Sequence, residues 1–230
     1  MYDRPGLSES QTDTSLKTDT QVMKRLHDFL SASKIPPPYL LVGHSLGGPF
    51  IRLFASFYSK EIAGLLFIDP TNFMLTPQED EQIKKDSGSK MGYIDLFINM
   101  HKKLASDTTV YIKVRNESKR IADNLSKGYF HEYTSLSPLA HIPVTVMIAY
   151  NSPIEHSEKD LAKEFGINLP VWFEQVNKYR IEHYRHMIKD NNKSCIILLP
   201  GYPHVIHHRD PPLVAATIAD IYKKCIKTTP

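Results

Sequence analysis

The sequence predicts an α/β protein: a mostly parallel sheet flanked by helices, interrupted by one helical excursion. Three observations predict it. Short apolar runs at Tyr39–Val42, Ala63–Ile68, Ile142–Ala149 and Cys195–Leu199 alternate with segments of helical periodicity, the pattern of strands buried on both faces and joined by crossover helices. The first run passes straight into a helical pattern through Gly43-His44-Ser45-Leu46-Gly47. Between the second and third runs, residues 71–141 lose the alternation and show amphipathic helical spacing with no strand pattern of comparable strength.

Composition bounds the possibilities. A chain of 230 residues with 41% hydrophobic content buries one substantial core, and nothing in it reads as a membrane span. Its formal charge of +3 comes from 28 basic and 25 acidic residues dispersed along the chain, which argues against nucleic acid as the main partner. The cysteines, Cys195 and Cys225, have no metal-ligand spacing and are too sparse for a disulfide framework. They fit a reducing compartment, and a cytoplasmic location is the expectation.

Taken in order, Thr12 to Thr20 are polar and turn-like, and Val22, Leu26, Phe29 and Leu30 then recur at helical spacing until Ile35-Pro36-Pro37-Pro38 ends the helix. Tyr39 to Val42 suit a buried parallel strand. The helix after it runs from Pro49 to about Tyr58. Ala63–Ile68 is the next strand, ending at Asp69-Pro70. Ile94, Phe97, Ile98 and Leu104 mark one helix of the excursion, and Val114, Ile121, Ala122 and Leu125 another. Ile142–Ala149 returns to strand character before the turn Tyr150-Asn151-Ser152-Pro153. A long polar helical region follows, containing Trp172-Phe173 and His183-Tyr184-Arg185-His186, before the last strand. Gly201 to His207 then leads through Asp210-Pro211-Pro212 into an amphipathic helix carrying Val214, Ile218, Ile221 and Tyr222.

A strand that turns into a helix at a serine forces that serine into a strained backbone conformation, and small residues two before and two after it let the elements approach. Gly43 and Gly47 fill those positions, so the pentapeptide reads as a nucleophile elbow. With Ile68-Asp69-Pro70, Pro203-His204 through Pro211, and Tyr2-Asp3-Arg4-Pro5-Gly6-Leu7-Ser8 near the start, the chain resembles an α/β-hydrolase.

The resemblance implies a hydrolase core at residues 1–70 and 142–230 and a helical cap at 71–141. In this family the stretch Tyr2–Gly6 ends the strand before the elbow strand and three earlier strands precede it. The chain is therefore expected to be the later part of a longer protein rather than a short form. The absent loop of those strands usually holds the second oxyanion donor, leaving the Leu46 amide as the first.

Serine needs a base within hydrogen-bond reach, and the base needs a third group to fix its tautomer. The resemblance assigns Ser45 as nucleophile and His204, on the loop after the last strand, as base, ahead of His207 and His208. The position where many members keep the acid holds Ser152, with Asn151 before it. Asp69 is the first candidate for the acid and Glu155 the second, with a turn-forming or capping role the bland reading of Asp69. His183 and His186 could share a helix face, yet no acidic or cysteine partner is marked out for a metal. The expected activity is cofactor- and metal-free hydrolysis of a small ester, thioester or lactone-type acyl substrate. The competing expectation is a non-catalytic member that keeps the fold as a binding surface.

Overall fold

A computed structural model describes Arg4 and residues 10–226 except Thr12 and Thr14. The stretch Tyr2–Ser8 therefore lies, apart from Arg4, outside the described residues. The elements run α1 (Asp19–Ala32), β1 (Tyr39–His44), α2 (Gly47–Phe57), β2 (Ile62–Ile68), α3 (Pro77–Ser87), α4 (Tyr93–Ser106), α5 (Ile112–Leu125), β3 (Val144–Tyr150), α6 (His156–Phe165), α7 (Leu169–Ile188), β4 (Cys195–Pro200), α8 (Ile206–Arg209) and α9 (Pro211–Ile226). The strands form one parallel sheet in the order β1-β2-β3-β4, so their carboxyl ends share one rim.

Side chains alternate along a strand, and each face of this sheet has its own core. Leu65, Phe67, Val144, Val146 and Ile148 meet Val22 and Met23 of α1, Phe50, Leu53 and Phe54 of α2, and Tyr184 of α7. On the other face Leu66, Ile68, Met147, Ala149 and Leu199 pack on Ile206 of α8 and Val214 and Ile221 of α9. Helices on both faces explain why β2 and β3 read as continuous apolar runs.

Residues 71–141 contain three helices, one more than the apolar spacing shows. The extra one is α3, whose face is mostly charged but whose ends are well specified. Thr76 and Glu79 form a reciprocal capping box, Pro77 occupies the first turn and Gly88 closes the C-terminus at φ 63°. A third cluster, Leu75, Ile83, Trp172 and Val176, ties α3 to α7. The long helical region after β3 is broken in two at Gly166, which ends α6 at φ 66°.

Candidate active site

The residue following each strand has left-handed backbone: Ser45 at φ 53°, Asp69 at φ 38°, Asn151 at φ 47° and Gly201 at φ 73°. Glycine adopts this freely and Asn and Asp at modest cost, but for serine it is strained. Hydrogen bonds hold Ser45 there. Its N–H donates to the Ile68 carbonyl at 3.1 Å, and its carbonyl accepts from Gly48 at 3.0 Å and Thr71 at 3.1 Å. A Cβ at Gly43 would drive into the Gly47 backbone, and one at Gly48 into Pro70, whereas one at Gly47 would meet nothing within 4 Å. The close approach thus requires Gly43 and Gly48, while Gly47 faces open space and is not sterically required. The Leu46 N–H has no acceptor among the described residues. Leu46 itself packs its side chain into the core and is not among the residues lining the cavity.

Asp69 is 4% exposed, and its carboxylate is fully engaged. Oδ1 accepts the Ala149 N–H at 2.9 Å and lies 3.0 Å from an Arg180 guanidinium nitrogen. Oδ2 lies 2.6 Å from His204 Nδ1. Burial pushes this carboxyl upward, but the Arg180 charge, the His204 bond and the Ala149 amide together hold it below the usual carboxylate value.

His204 sits after β4 with its side chain 53% exposed. Facing a carboxylate, Nδ1 carries the proton and Nε2 keeps its lone pair. His44, at the end of β1, donates from Nε2 to the His204 carbonyl at 3.0 Å and packs its ring 4.5 Å away. Burial, with His204 and His207 nearby, lowers the His44 pKa to about 4, so it is a neutral prop. Among the described residues no hydrogen bond reaches the Ser45 hydroxyl, although Ser45 and His204 line the same cavity.

The alternatives are engaged with other partners, although Glu155 lines the same cavity. His207 packs on His44 at 4.6 Å and on His208 at 4.4 Å, and neither touches Asp69. Glu155 is an exposed N-cap: its side chain accepts from the first turn of α6, and Glu158 accepts its N–H at 2.8 Å. His183 lies 3.0 Å from Glu79 of α3. Among the described residues no group of three or more His, Cys, Asp or Glu could hold a metal. Arg180 was not foreseeable from the sequence, because an arginine within a polar helical stretch reads as solvated. Its i, i+3 partner Asn177, 2.7 Å from it and buried, is the one weak signal.

The cavity has a volume of about 990 Å³. Tyr93, Phe97 and Met100 of α4 and Trp172 and Phe173 of α7 form much of its apolar wall, and Ser45, Asp69 and His204 line it as well. No helix among the described residues is long and apolar enough to cross a membrane.

Comparison with known proteins agrees with this architecture. A family described as alpha/beta hydrolase fold matches residues 1–107. The uncharacterized protein YqjL of Bacillus subtilis is 25% identical over 226 residues, covering 96% of this chain and 71% of that protein. An uncharacterized protein of Schizosaccharomyces pombe is 31% identical over 98 residues, 43% of this chain and 17% of that one. Among solved structures, a thermophilic esterase from Thermogutta terrifontis superposes with a TM-score of 0.55 at 18% identity, covering 97% of this chain and 78% of the esterase. The N-acyl homoserine lactonase AidH, bound to N-hexanoyl homoserine, gives 0.56 at 13% identity over 99% and 79% of the two chains. The epoxide hydrolase CorEH gives 0.58 at 12% identity over 96% and 80%. The parallel sheet, the flanking helices and the structural likenesses agree: the chain has the α/β-hydrolase fold, and its residues 1–107 match the family that bears that description.

Proposed function

We propose that this chain is a serine hydrolase that cleaves a carboxylic ester, thioester or lactone-type acyl substrate through an acyl-enzyme. The observation that carries the reading is the Asp69–His204 pair, 2.6 Å apart, lining one cavity with a serine at φ 53°. Ser45 Oγ attacks the acyl carbonyl while His204 Nε2 takes its proton. Asp69 holds the imidazole with Nε2 unprotonated and stabilises the imidazolium that forms. The unpaired Leu46 N–H, at the positive end of α2, supplies one donor for the developing oxyanion. His204 returns the proton to the leaving oxygen or sulfur, and a water repeats the sequence on the acyl-enzyme.

The apolar wall supports an acyl group of low polarity as the occupant, and the likeness to an esterase and a lactonase supports acyl transfer as the chemistry. We assign residues 71–141 to a cap, on the ground that Tyr93, Leu96, Phe97 and Met100 all line the cavity. Helices α6 and α7, residues 149–155 and the loop after β4 supply much of the remaining wall. Glu155 has no part in the reaction under this reading.

The test is hydrolysis of p-nitrophenyl esters of increasing acyl length. The wild-type protein should turn over at least one, and Ser45→Ala and His204→Ala should each lower kcat by about 10³-fold or more. A folded protein inactive on every ester, or one whose activity survives Ser45→Ala, favours the binding-surface reading.

A further inference from the structure

Asp69 is not a free carboxylate beside a histidine. Arg180, carried by α7, faces its Oδ1 at 3.0 Å. The same guanidinium donates to the Ala149 carbonyl at 2.9 Å, while the Ala149 N–H donates to Oδ1 at 2.9 Å. Asn177 accepts from it at 2.7 Å and fixes it from within α7. Asp69, the end of β3 and Arg180 therefore close a ring that is buried from water: the side chains of Asp69 and Arg180 are 6% and 12% exposed.

We infer that Arg180 is a positioning residue for the proposed hydrolysis, holding Oδ1 of Asp69 so that Oδ2 is presented to His204 and moderating the negative charge that His204 feels. The inference rests on the reading of Ser45, His204 and Asp69 as a working triad. Two consequences follow from elementary electrostatics. A cation on the far side of the carboxylate offsets part of the pull of Asp69 on an imidazolium, and removing it should strengthen that pull. And because Arg180 belongs to a helix that walls the cavity, the geometry of the acid depends on how that helix is seated. The other titratable groups near the pair are His44 of β1 and His207 of α8 beside His204, and Tyr93 of α4 and Tyr184 of α7 near Asp69 and Arg180. Burial keeps both tyrosines protonated and both histidines disposed to neutrality, so Arg180 is the fixed cation of the group.

The experiment compares pH profiles of kcat and kcat/KM for wild type, Arg180→Met and Arg180→Lys on the p-nitrophenyl ester that wild type cleaves best. Rates are normalised to the fraction of Ser45 labelled by a fluorophosphonate. For Arg180→Met, kcat should fall about ten- to a hundredfold, the cost of a misplaced catalytic group, with KM within about threefold, and the acid limb of kcat/KM should move to higher pH. Arg180→Lys retains a charge but cannot span Asp69 and the Ala149 carbonyl together, so the acid limb should return towards wild type while kcat stays depressed. A purely structural residue would change the labelled fraction and leave the normalised profile unmoved, which overturns the proposal. Should Arg180→Met fail to fold, Arg180→Lys decides alone: normalised kcat equal to wild type overturns the proposal and a depressed kcat sustains it. If wild type is neither labelled at Ser45 nor active, the proposal falls together with the reading beneath it.

Discussion

The two oxygens of Asp69 face opposite demands. Oδ1 is satisfied by Ala149 and Arg180, which leaves Oδ2 with a single partner, His204 Nδ1. That division makes the acid assignment testable at one side chain. Asp69→Asn preserves shape but can present an amide N–H to Nδ1, favouring the wrong tautomer, and kcat should fall by about 10³- to 10⁴-fold. Glu155→Gln should instead cost about 0.5–1 kcal/mol of stability through α6 and alter kcat only a few-fold, since Glu155 caps a helix. Steady-state kinetics and urea unfolding of the two variants separate the roles. The sequence made both acids visible, and the family resemblance, with Ser152 standing where many members keep a carboxylate, ranked Asp69 first. Arg180 was hidden, because its partners Asp69 and Ala149 are far from it in the chain and only the packing of α7 brings them together.

At the level of elements, strands were easier to read than helices. All four apolar runs became strands, with ends within two residues of the predicted ones, because both faces of the sheet are buried and, Thr145 apart, the positions along β2 and β3 are filled by apolar side chains, glycine or the terminal Tyr150. Helix α3 escaped notice because only Ile83 carries its core contact while its caps carry the specification. The glycines of the turn also divide differently from their motif. The side of Gly43 that a methyl would occupy is filled by the Gly47 backbone, and that of Gly48 by Pro70, while Gly47 faces open space. Gly43→Ala should therefore destabilise by more than about 2 kcal/mol through a clash of strand on helix. Gly47→Ala, in the first turn of α2, should be neutral or stabilising by up to about 1 kcal/mol. Denaturant midpoints of the two variants check this contrast, and equal losses would contradict it.

For the whole molecule, the sheet brings together residues separated by more than 150 positions in the chain, with His44 bonded to the His204 backbone across the cleft. Burial lowers the pKa of His44 to about 4, and likewise that of His101 on α4. A folded value below the unfolded one near 6.5 means that stability is fully present above pH 6.5 and is lost as pH falls towards 4. Thermal melts should show that decline, and His44→Gln, which keeps an N–H for the His204 carbonyl, should flatten part of it while the His101 share remains. The proposed cap at 71–141 belongs to this scale too: its helix α4 and the helices α6 and α7 after β3 line one cavity, a convergence that no local pattern in the chain announces. The measurement that tests the central claim most directly is reaction of the purified protein with a fluorophosphonate, followed by peptide mass spectrometry. A single adduct on Ser45 is expected, lost in Ser45→Ala and strongly slowed in His204→Ala and Asp69→Asn. A folded protein that takes up no label, or takes it at another residue, would contradict it.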